Sequence, residues 1–105
     1  MIHALKIKPE YFIAEVRRLI EKCGYEIAYE YCKCKYNNCV YNGKTEKAEK
    51  YKKQIDQFRA IGMKEYQIQY EGGTPSTHYS LVAYNPGDMV ISSSNICMKI
   101  IERIV

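Results

Sequence analysis

The residues with the most reactive side chains in this sequence are cysteines. Cys32, Cys34 and Cys39 lie close together, and Cys23 precedes them. If residues 26–35 form a strand, Cys32 and Cys34 project from one face, because side chains alternate along a strand. Four thiolates gathered in this way can hold zinc tetrahedrally. The four cysteines are therefore candidate zinc ligands, and the alternative is that no cofactor is bound and the thiols are free, some of them buried as small apolar side chains.

The cysteine count also bears on redox chemistry. There are five cysteines, an odd number, which argues against a disulfide framework. A redox role for Cys32 and Cys34 is a further interpretation, since Lys33 and Lys35 can lower the pKa of a neighbouring thiol. No spacing supports a catalytic pair of a cysteine with either histidine, so we expect a protein without catalytic activity.

Tyrosine and lysine alternate in the segment that carries the cysteines. Aromatic rings can stack on bases and lysines can bind phosphates, so this pattern suits nucleic acid. The alternative is that most of the rings line or cover the core. Tyr36 and Tyr41 are also candidate contacts for a protein partner, since aromatic residues are enriched at interfaces. The residues of the pattern are Tyr29, Tyr31, Lys33, Lys35, Tyr36 and Tyr41.

Two helices are predicted to position these residues. Apolar residues recur every three or four positions from about Pro9 to Cys23, which predicts an amphipathic helix ended by Gly24. A second stripe predicts a helix from Thr45, as N-cap, to Gly62. The stripes are Phe12, Ile13, Val16, Leu19, Ile20 and Cys23, then Ala48, Tyr51, Ile55 and Phe58.

Short strands complete the predicted fold. Alternating apolar and polar residues indicate most of them, and Asn and Gly residues at 37–38, 42–43 and 85–88 predict turns. Residues 96–105 fit either a strand or a helix, and we favour the strand. The other predicted strands are residues 2–8, 26–35, 66–71, 78–84 and 89–91.

Composition limits the class of protein. The chain has 105 residues, 47% of them apolar, and a net charge of +4, which permits an anionic partner without demanding one. No apolar run has the roughly 18 residues that a membrane span needs. Residues 1–6 lack a signal-peptide layout, so we expect a cytoplasmic protein. We predict one α+β domain, 1–105, with a small mixed or antiparallel sheet and two helices.

Three segments resemble a known family. Residues 3–12 resemble the first strand and helix of ASCH-type domains, which are small barrels of the PUA-like superfamily. Residues 62–69, Gly-Met-Lys-Glu-Tyr-Gln-Ile-Gln, resemble the family's next strand, and residues 85–91, Asn-Pro-Gly-Asp-Met-Val-Ile, resemble its Gly-Asp turn. The family's Glu and Arg stand here as Gln67 and Gln69. The resemblance implies a PUA-like barrel and an RNA-binding groove, with residues 25–60, which carry the cysteines and the second helix, as an insertion. Gln67 argues against amide hydrolysis.

Two functions follow as expectations. The first is a non-catalytic RNA-binding domain of PUA-like type, whose groove is lined by Lys6, Lys8, Lys64, Gln67 and Gln69. The second is a phage or mobile-element protein that binds and modulates a host protein through the tyrosine-rich insertion. Neither function requires a membrane, and zinc is the one cofactor that the residues suggest.

Overall fold

The computed structural model describes residues 11–91 and 95–105. The chain divides into two compact units, Met1–Gly62 and Met63–Val105. The described part of the first unit is helical, and that of the second is a four-stranded antiparallel sheet of order β2-β1-β4-β3. The predicted α+β class is confirmed. The elements are α1 (Ala14–Cys23), α2 (Tyr25–Tyr41), α3 (Thr45–Ala60), β1 (Lys64–Tyr70), β2 (Pro75–Ser80), β3 (Met89–Ile91) and β4 (Cys97–Arg103).

Helix α2 is the main correction to the sequence-based prediction. The strand at 26–35 and the turn at 37–38 are wrong, since both segments lie inside α2. Its buried residues include Ala28, Cys32 and Cys39, whose spacing of four and seven returns to one face of a helix. In the sequence, the alternation of larger side chains indicates a strand. Strand preference depends on context, however, and in this structure the packing of α2 against the other helices stabilises a helix. The described residues therefore hold three helices, not two.

Gly24 separates the first two helices. Its φ of +93° lies in the left-handed region that glycine adopts without strain, which confirms it as the residue that ends α1. Its carbonyl accepts the Ala28 N–H at 3.2 Å, so the same residue also begins α2. The first helix is shorter than predicted, because α1 begins at Ala14 and Ile13 is its N-cap. Pro9 and the predicted strand at 2–8 lie outside the described residues.

Helix α3 follows the predicted helix closely. The turn at 42–43 is confirmed, and the chain enters the helix through Lys44. Thr45 is the first helical residue and makes no cap, so the prediction of its capping role is wrong. The predicted apolar stripe is confirmed, because all four of its residues are buried: Ala48, Tyr51, Ile55 and Phe58.

The carboxylate of Glu15 connects the three helices. The Tyr31 hydroxyl on α2 donates a hydrogen bond to Glu15 Oε2 with an O–O distance of 2.5 Å. The Tyr51 hydroxyl on α3 donates a second hydrogen bond to Glu15 Oε1 at 3.2 Å. Lys50 Nζ lies 3.8 Å from the same carboxylate. The bond from Tyr31, with those from Tyr51 and the charge of Lys50, holds the pKa of Glu15 below its usual value of 4.5. The bond to Glu15 in turn raises the pKa of Tyr31.

Tyr66 organises the sheet unit. Its hydroxyl donates to the Val82 carbonyl at 3.1 Å and accepts the Tyr84 N–H at 3.0 Å. Strand β2 ends at Ser80, earlier than the predicted end at Tyr84. The backbone of Val82 and Tyr84 hydrogen-bonds to the Tyr66 hydroxyl instead of to a neighbouring strand. The strand at 89–91 and the C-terminal strand are confirmed as β3 and β4. The core of the unit is Tyr66, Ile68, Met98 and Ile100.

A change at Glu15 tests how the helices are held. We expect Glu15→Gln to lower the free energy of unfolding by about 1–2 kcal/mol at pH 7, because hydroxyl bonds to a charged acceptor are lost. The depressed pKa means that this contribution is complete above about pH 4.5 and is lost as the pH falls through the folded-state value. Urea unfolding at pH 7 and at lower pH measures both effects.

The matched control is Glu21→Gln, which removes the same charge from an exposed position of α1. We expect it to change the stability by less than about 0.5 kcal/mol. Equal effects of the two substitutions at pH 7 would show that the Tyr31 and Tyr51 bonds do not stabilise the helices.

Candidate nucleic-acid interface

The cysteines do not gather into a cluster. Cys32 and Cys39 are buried, whereas Cys23 and Cys34 are exposed. On a helix, Cys34 lies about 200° around the axis from Cys32, so the two thiols point to different sides. The geometry that motivated the zinc prediction is therefore wrong. No group of three His, Cys, Asp or Glu side chains that could hold a metal occurs in residues 11–91 and 95–105. Zinc binding stays a prediction.

The Cys32 thiol is also unsuited to redox chemistry. Burial, together with the nearby charge of Glu15, raises its pKa to about 12. A thiol with such a pKa carries almost no thiolate at neutral pH, and the thiolate is the reactive form. Cys32 therefore acts as a small apolar side chain that lets the helices pack closely, which is the alternative drawn from the sequence.

The strand residues predicted to bind RNA are divided between two faces. Gln67 and Gln69 share one face of β1, while Lys64 lies on the other, because side chains alternate along a strand. Gln69 lines a shallow depression of about 420 Å³ in the sheet unit. Lys6 and Lys8 lie outside the described residues. Among the described residues, then, β1 does not bring Lys64 together with the two glutamines.

Basic charge is concentrated in the helical unit. Seven of the sixteen Lys and Arg residues lie between Lys33 and Lys53, where Glu46 and Glu49 are the only acidic residues. The sheet unit has three basic and four acidic residues in its sequence. The positive charge of this protein therefore belongs to α2, α3 and the turn between them, which we call the basic hairpin (residues 33–53 at its centre).

The basic hairpin has a groove at its turn end. The turn-end groove encloses about 230 Å³, and both helices contribute polar side chains to it. Three of these are lysines and two are asparagines, so the groove presents ammonium and amide donors. Such donors suit an anion such as a phosphate. The lining residues are Lys35, Asn38, Cys39, Asn42, Lys44, Lys47 and Tyr51.

A second groove runs between the same two helices. The Tyr36 groove encloses about 200 Å³ and uses other residues of each helix, which helical periodicity places on the opposite side of the α2–α3 contact. It combines an aromatic ring, an amide, a carboxylate and three cations. The lining residues are Lys33, Tyr36, Asn37, Lys52, Ile55, Asp56 and Arg59.

The tyrosines of α2 divide into structural and accessible rings. Tyr29 is fully buried, and Lys33 Nζ lies 5.7 Å from its ring centroid. Tyr31 binds Glu15 and has Lys35 Nζ 5.6 Å from its ring centroid, so it is also part of the packing. Tyr41, in contrast, is 87% exposed at the turn end. Of the alternating pattern, only Tyr36 and Tyr41 remain as rings for a ligand.

The contributions of α3 to the grooves were not predicted from the sequence. Lys47, Lys52 and Asp56 on α3 line the two grooves, as does Lys44 just before the helix, yet in the sequence these residues belong to a solvated charged segment. Their positions become informative only when α2 is a helix that packs along α3. The signal that could have revealed this was the spacing of Ala28, Cys32 and Cys39 on one helical face.

Comparison with known proteins adds no family. No protein-family model, curated protein or solved structure matches the chain. Within the described residues, no helix has both the length and the apolar character needed to cross a membrane.

Thiol labelling tests the placement of the cysteines. We expect maleimide to modify Cys23 and Cys34 rapidly in the native protein at pH 7, because both are exposed. Cys32 should react only after unfolding in denaturant, because it is buried and its pKa is raised to about 12. Peptide mass spectrometry after timed labelling measures the rates. Labelling of Cys32 as fast as Cys34 would contradict the packing of α2.

Proposed function

We propose that the protein is a non-catalytic binder of single-stranded nucleic acid and that the basic hairpin is its binding surface. The observation that carries the proposal is the pair of lysine-lined grooves along α2 and α3, at the place where the chain concentrates its positive charge. Nucleic-acid binding is driven largely by phosphate neutralisation, which needs such a concentration of cations.

Each part of the surface has a chemical role in this proposal. Lys35, Lys44 and Lys47 bind phosphates at the turn-end groove. Tyr36 and Tyr41 offer rings on which unpaired bases stack, a contact worth about 1–3 kcal/mol per base. A duplex keeps its bases stacked on one another, so accessible rings favour a single strand.

The proposal changes the location of the site expected from the ASCH-type resemblance, but it keeps the ligand class. That resemblance implies RNA, and the hairpin chemistry accepts single-stranded RNA or DNA because lysine and tyrosine contact groups common to both. The resemblance predicts a different site at Lys64, Gln67 and Gln69, although β1 places Lys64 on the opposite face from the two glutamines. An experiment must therefore compare the hairpin and the strand directly.

Charge reversal distinguishes the two surfaces. We expect the double variant Lys44→Glu/Lys47→Glu to weaken binding of a labelled single-stranded RNA of mixed sequence by at least about tenfold. Each lost phosphate contact should also reduce the slope of log affinity against log salt by about 0.7. Fluorescence anisotropy at several salt concentrations measures both quantities.

Two variants in the sheet unit serve as controls. Lys99→Glu reverses an exposed charge and should leave the affinity within about threefold of the wild type, and Lys64→Glu tests the strand site. If Lys64→Glu abolishes binding while the Lys44/Lys47 variant does not, the strand site is right and the hairpin proposal is wrong. Absence of salt-dependent binding by the wild type would reject nucleic-acid binding itself.

A protein partner is the second candidate function. Val40 and Tyr41 are neighbours at the turn end and are 55% and 87% exposed, which gives an aromatic and apolar tip on a basic helix. Exposed aromatic residues of this kind often anchor protein interfaces. A phage or mobile-element protein that binds a host protein would use this tip, and such binding would depend less on salt.

Substitution of Tyr41 separates the two candidates. For nucleic-acid binding we expect Tyr41→Ala to weaken single-strand affinity by about tenfold, because a stacked ring is lost, and Tyr41→Phe to preserve it. Anisotropy with the same RNA measures the change. If both variants bind like the wild type, Tyr41 contacts no base. A host-protein pull-down that succeeds with the wild type and fails with Tyr41→Ala would then support the second candidate.

A further inference from the structure

The Tyr36 groove carries side chains that phosphate binding alone does not need. Lysines suffice for a phosphate, but this groove also holds the ring of Tyr36 and the carboxylate of Asp56. The carboxylate of Asp56 is exposed in this groove and repels a phosphate, so the mixture of acceptor and cations suits a ligand that has hydrogen-bond donors as well as negative charge. A nucleotide has both, with donors on its base and charge on its phosphate.

The ring of Tyr36 is held in place from the protein side. Tyr36 is half-buried and packs against the cluster formed by Cys39, Ala48 and Tyr51. An aromatic ring supported in this way loses little conformational freedom when a base stacks on it. Ile55, which is 6% exposed, supplies an apolar surface in the same groove. The groove volume of about 200 Å³ is large enough for one base.

The chemistry of Asp56 selects among the bases. An ionised carboxylate only accepts hydrogen bonds, and its two oxygens can accept from two adjacent donors. Guanine alone presents two neighbouring donors on its Watson–Crick edge, N1–H and the N2 amine. Adenine and cytosine pair a single amine with an acceptor nitrogen, and uracil has one N–H between two carbonyls. The amide of Asn37 and the ammonium of Lys52 can donate to guanine O6.

We infer that the Tyr36 groove reads a guanine base of the bound strand, with Tyr36 as the stacking surface and Asp56 as the acceptor of the N1 and N2 protons. This inference rests on the proposed function, because it names the base preference of the same hairpin. It predicts a preference that is independent of the phosphate contacts at the turn-end groove.

Four seven-nucleotide RNAs test the preference in the wild-type protein. Each has a different base at the centre of an oligouridine strand: guanine, adenine, cytosine or inosine. We expect the guanine strand to bind about tenfold more tightly than the adenine and cytosine strands, which is the scale of one bidentate base contact. Inosine lacks the N2 amine, so its strand should lose most of that advantage.

A pair of isosteric variants tests the residue. Asp56→Asn replaces one acceptor with a donor and should bring the four strands within about twofold of one another. Glu49→Gln removes the same charge from an exposed residue of α3 that lines neither groove, and it should keep the tenfold preference. Any general gain in affinity from the lost negative charge is shared by both variants and cancels in the comparison.

The outcomes distinguish this inference from the proposed function. Tight binding without preference for guanine overturns the inference and leaves the proposed function standing. A guanine preference that survives Asp56→Asn, or an inosine strand that binds like guanine, also overturns it. Failure of every strand to bind rejects the proposed function and the inference together. Competition by free guanosine monophosphate as effective as the guanine strand would assign the groove to a mononucleotide instead.

Discussion

The helical unit depends on hydrogen bonds that converge on one carboxylate. Glu15 on α1 accepts from Tyr31 on α2 and from Tyr51 on α3, so one side chain links all three helices. Tyrosine, cysteine and asparagine, which make up much of α2, are only moderate helix formers. The helix therefore owes its stability mainly to packing, as most helices in proteins do. Glu15 and the small buried residues Ala28 and Cys32 supply that packing.

This constraint determines where the charges of the hairpin lie. Because Tyr29, Tyr31 and Tyr51 are occupied in the packing, the nearby lysines Lys33, Lys35 and Lys50 lie over their rings. Most of the cations of α2 and α3 line two grooves on opposite sides of the helix contact. Function, in our proposal, uses what the packing leaves exposed: lysines, two accessible rings and one carboxylate.

The candidate site was only partly predictable from the sequence. Tyr36 and Tyr41 were identified because aromatic residues beside lysines are a recognisable pattern. Lys47 and Asp56 were not, because a lone charge on a helix carries no signal until a neighbouring helix makes it part of a groove. Lys64, Gln67 and Gln69 are close together in the sequence, which suggested a shared site. Because side chains alternate along β1, Lys64 lies on the opposite face from the two glutamines.

Local spacing and turn chemistry were enough to predict the α+β class, helices α1 and α3, strand β1 and the glycine between the first two helices. The helical state of residues 26–35 and the positions of the cysteines followed only from the packed structure. In that segment the alternation of large residues and the helical spacing of small ones compete. Burial of Ala28 and Cys32 against the neighbouring helices favours the helix. This burial is a long-range interaction, so the local sequence pattern alone cannot show which of the two states is stable.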